Sequence, residues 1–298
     1  MLPTRLPDRL ELISLRDNII SFSRLNANPV RYHHWHQCLE VLYVEEGYGV
    51  VIADNRHYTM RPGRIFVFPP FTLHKIMVEE RAATIYRRTI IHVDQHAVLP
   101  ALDAFPHHKQ KLLRLSARGS EAFVADLTDL HPWMTTLFTH YGALADGDEL
   151  DKENAATLLL SLFSMIPTQE TTIREDEYRL SRQVMLWVEE NYMKKISLEK
   201  LAADLNKSRC YLSRRFHAET GEKINEYVST YRLRKACELL LRSEMSIHEI
   251  GAHVGFADAT YFITSFKKGI GKTPLQYRKN KSSALAPPAV PSRALHIG

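Results

Sequence analysis

The sequence predicts a multidomain chain: an all-β front folded as a small barrel or sandwich, then helices, then an all-α back carrying a tandem helix-turn-helix. Three observations predict it. Residues 19 to 93 are short runs rich in Val, Ile, Tyr and Phe, broken by turn residues. From His107 to about Met165 apolar residues recur three and four apart. In the last hundred residues one pattern of two short helices is written twice, 49 residues apart.

Local chemistry justifies each element. The run VLYVEEGYGVVIADNRHYTM reads as two strands around Glu45-Glu46-Gly47, then a hairpin at Ala53-Asp54-Asn55. RPGRIFVFPP sets a turn at Pro62-Gly63 before a short buried strand, Ile65 to Phe68, which Pro69-Pro70 stops. So many short strands favour closure on themselves or packing as two sheets. KQKLLRLSARG and ATLLLSLFSMI then have helical spacing, in helices that cover the barrel, pair with a second subunit, or do both. PTQETTIRED (Pro167 to Asp176) is polar with no apolar period and reads as a linker. After Lys281 the stretch SSALAPPAVPSRALHIG has no pattern and reads as a flexible tail. The expected boundaries are therefore 1–106 for the β domain and 107–166 for the helices, the expected dimerisation region. The linker is then 167–177, the helix-turn-helix domain 178–281 and the tail 282–298.

Composition narrows the function classes. At 298 residues, 45% hydrophobic and 24% charged, the chain is globular and long enough for two cores. It has no apolar run long enough for a membrane span, and MLPTRLPDRLELI lacks the form of a secretion signal. Three scattered cysteines, Cys38, Cys210 and Cys237, argue for reduced thiols, so the expected compartment is the cytoplasm. Charge is uneven: Tyr178 to Lys281 holds 20 Lys+Arg against 11 Asp+Glu, a net of +9, and the remainder is −4. A basic back beside a slightly acidic front suits a nucleic-acid partner that meets only the back.

The duplicated pattern specifies that partner. SLEKLAADL puts Leu198, Leu201, Ala202 and Leu205 on one helical face, and SIHEIGAHV does the same with Ile247, Ile250, Gly251 and Val254. Each is followed by a second helix, YLSRRF in the first copy and YFITSF in the second. Ser197 can cap the first helix of copy one, and Ser246 with Glu249 forms a capping box in copy two. Ser208 and Asp258 stand where the second helices begin. Two short helices and a tight turn, made twice, are a duplicated helix-turn-helix. Between the copies, NEYVSTYRLRKACELLLRS is one helical pattern of roughly 28 Å at 1.5 Å per residue. That length suits a spacer between recognition helices about one DNA turn, ~34 Å, apart.

The segment from Val184 to Lys279 resembles the DNA-binding domain of AraC/XylS-type transcription regulators. ISLEKLAADLNKSRCYLSRRFHAETG and IHEIGAHVGFADATYFITSFKKGIGKTPLQYRK carry the resemblance, over roughly a third of the chain. It implies sequence-specific binding to promoter duplexes, usually as an activator that works with RNA polymerase. It also implies that Arg209, Cys210, Ser213 and Arg214 meet base edges in the first groove, Ala259, Thr260, Ile263 and Thr264 in the second. Ser208 and Asp258 open the two helices against DNA. Arg214 can hydrogen-bond guanine through both guanidinium nitrogens. The second set has no long basic residue, a departure from relatives with arginine at the position of Thr264. Copy one should then supply most base readout, and copy two should position the duplex through Lys267, Lys268 and its helix N-terminus.

The front carries HWHQCLEVLYVEEG, residues 34 to 47. On a continuous strand His34, His36, Cys38 and Glu40 project to one face, and His74 from a neighbouring strand can join them. Three imidazoles and a carboxylate suit Zn, Mn, Fe or Ni. The same residues resemble the two motifs of the cupin barrel, a sensor that many of these regulators carry. His34, His36, Glu40 and Gly47 match the first motif, and Gly63, Pro69 and His74 match the second. Asn28 stands where the first motif has its leading glycine; Phe71 and Val78 replace the second glycine and final asparagine of the second motif. Three readings stay open. The residues hydrogen-bond a small polar effector, a sugar by family habit, with Trp35, Tyr43 or another aromatic stacking on it. Or they hold a divalent metal, or they are core polar groups with no ligand. His33, His57, His92 and His96 are expected at the surface with no role.

Together these features describe a one-component transcription regulator: a homodimer that senses a small molecule in front, binds promoter DNA behind, and is not an enzyme. A cupin metalloenzyme of dioxygenase or isomerase type is the rival, but it leaves the duplicated helices and the basic back unexplained. A DNA-bending protein without an effector is a second rival, for which the front domain would not alter affinity.

Overall fold

Alternation along the strands decides what each face of the barrel meets. In the computed structural model the strands are β1 (Leu10–Glu11), β2 (Ile20–Leu25), β3 (Trp35–His36), β4 (Leu39–Glu46), β5 (Gly49–Ala53), β6 (Arg56–Met60), β7 (Arg64–Phe68), β8 (His74–Val78), β9 (Arg87–Val93) and β10 (Phe123–Asp126). The structure describes residues 10–11, 13, 15, 19–26, 32–79, 85–117, 120–168 and 180–284. Five strands form one sheet in the order β10-β7-β4-β9-β2, and three form a second in the order β6-β5-β8. A backbone bridge from His34 to His74 ties the segment before β3 to the second sheet.

On the central strand β4, the even residues Leu42 and Val44 join Phe66, Phe68, Val51, Ala53 and Ile76 in the barrel core. The odd residues Leu39, Val41 and Tyr43 join Ile65, Val67, Ile91 and Val93 on the outer face. That outer face is covered by helices α1 (Gln95–Val98), α2 (Pro106–Leu115), α3 (His131–Asp146) and α4 (Lys152–Met165), which contribute Val98, Leu112, Phe138, Leu159 and Phe163. The middle helices thus cover the barrel. The expectation that 107–166 is wholly helical needs correction: Phe123–Asp126 is strand β10, paired antiparallel with β7. Its four residues, FVAD, satisfy an open sheet edge that a helix there would leave unpaired. The hairpin between β5 and β6 turns at Asp54 and Asn55, both with positive φ. These are residue types that tolerate the left-handed region.

The chain divides by contact into two compact units, one of residues 9–192 with 196–231, the other of 193–195 with the chain from 232 onward. The first unit includes α5 (Leu180–Asn191), α6 (Leu198–Asp204) and α7 (Arg209–Thr220). The second includes α9 (Ile247–His253), α10 (Ala259–Ile270) and α11 (Pro274–Ala284). Helix α8 (Ile224–Arg242) runs from one into the other. Its 19 residues match the expected spacer length. The segment expected as a linker lies outside the described residues from 169 onward, as does the tail beyond 284; helix α11 continues past the expected start of the tail at 282.

Each helix-turn-helix is built by the same local devices. Ser197 caps α6 and Ser208 caps α7, while Ser246 and Glu249 form a reciprocal capping box on α9 and Asp258 caps α10. The tight turn needs one left-handed residue, and the two copies place Asn206 and Gly255 there. Both second helices end on a left-handed glycine, Gly221 and Gly271. Gly251 lets α10 approach α9, since a Cβ there would come to 2.8 Å from the Phe262 ring. Replacing Asn206 by Val puts a β-branched residue in the left-handed region and is expected to cost about 1–2 kcal/mol. Gly at that position should change stability by only a few tenths of a kcal/mol or raise it; urea unfolding of both variants checks this.

Candidate sensor cluster and nucleic-acid interface

Glu40 lies on the inner face of β4, paired across the sheet with His92 of β9 on one side and Phe68 of β7 on the other. Its Oε2 is 2.5 Å from His36 Nε2, 3.3 Å from His92 Nε2 and 3.6 Å from His74 Nε2. The His34 ring packs on His74 and His36, with centroids 4.4 and 5.1 Å away. Phe68 stacks flat on His74 at 4.1 Å. Donor atoms of His34, His36 and His74, and those of His36, Glu40 and His92, lie within 4.8 Å of one another, and none of the five residues is more than 9% exposed.

Burial and neighbours set the charges. Burial, reinforced by His74 and His36, holds the His34 imidazole well below its ordinary pKa. Burial also lowers His36, although Glu40 pulls the other way. For Glu40 burial alone would raise the carboxyl, but His36 and His74 outweigh it and hold it well below the usual carboxylate range. Burial thus works against charge on the imidazoles while their presence favours charge on the carboxylate. The tautomers follow from the backbone. His74 Nδ1 donates to the Thr72 carbonyl at 3.0 Å, and His34 Nδ1 faces the Tyr32 carbonyl at 3.3 Å. Each ring therefore keeps its Nε2 for the cluster, as metal-ligating imidazoles do.

The structure brings together His34, His36, Glu40 and His74 as the spacing anticipates, and adds His92. His33, His57 and His92 are buried, against the expectation that they lie at the surface; His96 is exposed. The pattern IIHV in β9 alternates with its imidazole inward, and only the β4–β9 register sets it opposite Glu40. Cys38 is buried but is not among these donors, because the strand breaks at Gln37–Cys38 and the simple odd-even count fails there. Trp35, fully buried, falls on the opposite face from His34 and His36. Tyr43 faces the helices, its hydroxyl 2.8 Å from His131 Nδ1, so it is not placed to stack on an occupant of the barrel. Phe71, where the cupin motif has glycine, takes a left-handed φ of +69°, and its N–H donates to the His36 carbonyl at 2.8 Å. Such a conformation costs a non-glycine residue about 1–3 kcal/mol, here spent on anchoring a cluster residue.

The DNA-facing candidates divide in the same residue-by-residue way. On α7, Arg209, Cys210, Ser213 and Arg214 are all exposed, with Leu212 and Phe216 buried behind them. Arg209 is ion-paired with Glu199 of α6, so it is committed to the helix pair as well as available to DNA. Arg215 pairs with Glu219, whose other oxygen accepts the Ser181 N–H of α5 at 2.8 Å, so it braces the helices rather than reaching for phosphate. On α10, Thr260, Ile263, Thr264, Lys267 and Lys268 are exposed and Ala259 is half-buried. The Thr264 hydroxyl donates to the Thr260 carbonyl, which leaves its methyl group for an apolar contact.

A β-barrel with a buried donor cluster, followed by two capped helix-turn-helix pairs with exposed second helices, is the layout of a ligand-responsive DNA-binding regulator. The AraC-like ligand binding domain matches residues 21–180, and a helix-turn-helix domain matches residues 201–280. The chain belongs to the AraC family of transcriptional regulators, with a ligand-binding and a DNA-binding domain. It is 28% identical over 259 residues to the uncharacterized HTH-type transcriptional regulator YfiF of Bacillus subtilis, covering 82% of this chain and 78% of that protein. It is 23% identical to the HTH-type transcriptional activator RhaS of Klebsiella pneumoniae over 87% of this chain and 91% of that one. Among solved structures, the C-terminal domain of the response regulator yesN from Fusobacterium nucleatum is 39% identical, covering 32% of this chain and 94% of that chain, with a TM-score of 0.32. Among the described residues no helix is long and apolar enough to cross a membrane.

Replacing Arg214 by Ala removes the one unpaired arginine candidate on the first recognition surface that can grip guanine at two points. It is expected to weaken binding to the selected duplex by about 1–3 kcal/mol and relax the preference at one base pair. Lys267→Ala should instead weaken all sequences alike and lower the salt slope by about one. Binding isotherms at several salt concentrations read both.

Proposed function

We propose that the protein is a one-component regulator that reads promoter DNA mainly through α7 and whose sensor site holds a divalent metal ion. The carrying observation is the inward aim of the imidazoles. Carbonyls of Thr72 and Tyr32 face Nδ1 of His74 and His34, which leaves Nε2 of both rings for a ligand in the cluster. Neutral nitrogen donors with one carboxylate suit Zn, Mn, Fe or Ni. His34, His36, Glu40, His74 and His92 would hold the ion, which would supply positive charge and fixed geometry rather than chemistry. Donors this close leave room for an ion, whereas small-molecule sites usually enclose about 300–1,000 Å³.

An organic effector, such as the sugar that the family habit suggests, has a second place to bind. A groove of about 570 Å³ between β2 and α3 is lined by Arg24, Asn26, Arg87, Thr139 and Asp146, polar groups that suit hydroxyls. Two copies would pair through the exposed side of α3, where Trp133 is 60% exposed. Activation through contact with RNA polymerase, in the cytoplasm, completes this proposal.

Protein purified without tag, chelator or nickel resin should carry about one metal ion per chain by mass spectrometry, and His36→Ala should lose it. Metal near zero in the wild type would return the cluster to a hydrogen-bonding role. Sedimentation velocity should show a dimer that Trp133→Glu converts to monomer; a wild-type monomer would refute the pairing.

A further inference from the structure

The residues on either side of the cluster in sequence point out of the barrel and grip the first helix-turn-helix. His34 and His74 bond each other through their backbones, N–H to carbonyl at 3.0 Å in both directions. Their neighbours, His33 and Lys75, lie on the opposite side of the chain. The His33 backbone N–H donates to Glu222 Oε1 at 2.9 Å, and its ring Nδ1 is 2.8 Å from Glu222 Oε2. Both side chains are nearly buried, 1% and 4% exposed. Lys75 reaches the C-terminal cap of α7, where a Cβ on Gly221 would sit 3.3 Å from its Nζ. The Tyr227 hydroxyl of α8 donates to Asn55 Oδ1 at 2.9 Å, Asn55 Nδ2 donates to Glu189 Oε2 of α5 at 2.8 Å, and the His33 ring packs edge-on against Tyr227. His57 Nε2 lies 3.1 Å from Ser181 Oγ at the start of α5.

We infer that this clasp is the element through which the cluster controls the first helix-turn-helix, and that a divalent cation in the cluster and a closed clasp oppose each other. The inference rests on the metal reading of the cluster. The clasp is complete while His36 Nε2 and Glu40 Oε2 are in direct contact at 2.5 Å. Two ligands about 2.1 Å from one tetrahedral ion stand about 3.4 Å apart. Loading must therefore shift the donors of the cluster, and His34 and His74 have the shortest route to the clasp, one residue each. Glu222 follows the cap of α7 directly, so releasing it frees the C-terminal end of the helix that reads DNA. By linkage, whatever factor the ion takes from the clasp, breaking the clasp returns to the ion.

The test is the zinc affinity of the full-length protein, measured by competition with a chromogenic chelator, for wild type, Glu222→Gln and Tyr227→Phe. Tyr227→Phe removes a single hydroxyl and keeps the measurement informative if Glu222→Gln folds poorly. Both variants should bind zinc at least about fivefold tighter than wild type, the low end of ordinary coupling. Zinc should also speed amide hydrogen exchange across residues 217–227 in wild type but not in His36→Ala. Variants that bind zinc as wild type does, or more weakly, overturn the clasp while leaving the metal site standing. If wild type and His36→Ala alike fail to bind zinc, the metal reading is what fails and the inference falls with it.

Discussion

The barrel is organised around one buried charge. Glu40 places a carboxylate on the inner face of the central strand, out of water. An uncompensated ion there would cost several kcal/mol. The surrounding strands answer with imidazoles: His36 from its own segment, His92 from β9, His74 from β8 and His34 beside it. The requirement propagates outward. It holds Phe71 in a left-handed conformation to anchor the His36 carbonyl, stacks Phe68 on His74, and turns the Nδ1 atoms of His34 and His74 toward backbone carbonyls.

The two faces of the sheet keep this site separate from what supports it. The outer face buries an apolar layer under α2, α3 and α4, while the inner face holds the cluster at one end and a dry core of Leu42, Val44, Phe66 and Ile76 beyond it. A polar site beside a packed apolar core is rigid, because close-packed neighbours resist small displacements. Movement of His34 or His74 is therefore passed along the chain to His33 and Lys75 more readily than it is absorbed by the barrel.

At the DNA end, equivalent capping and turn devices build two helix pairs of unequal chemistry. The first exposes Arg214 with Ser213 and Cys210; the second exposes threonines and an isoleucine ahead of two lysines. Ion pairs engage Arg209 and Arg215, so the first pair exposes fewer uncommitted arginines than the basic count of this region suggests.

The sequence alone determined whatever depends on local chemistry. Caps at Ser197, Ser208, Ser246 and Asp258, the hairpin at Asp54-Asn55, the short strand before Pro69-Pro70 and the duplicated helix pairs are all contacts between near neighbours, and near neighbours are legible in order. It also named four of the five clustered donors, because two close motifs carry them. Tertiary structure decided the rest. His92 joins Glu40 only through the register between β4 and β9, Cys38 leaves the cluster because the strand breaks before it, and Tyr43 turns outward because its face of the sheet is the one helices cover. Strand β10 exists because an open edge of β7 needed a partner. His33 and Glu222 meet across 189 residues of chain. Register, edge pairing and contacts between distant segments are set by what the folded chain brings together, and the order of residues does not contain them.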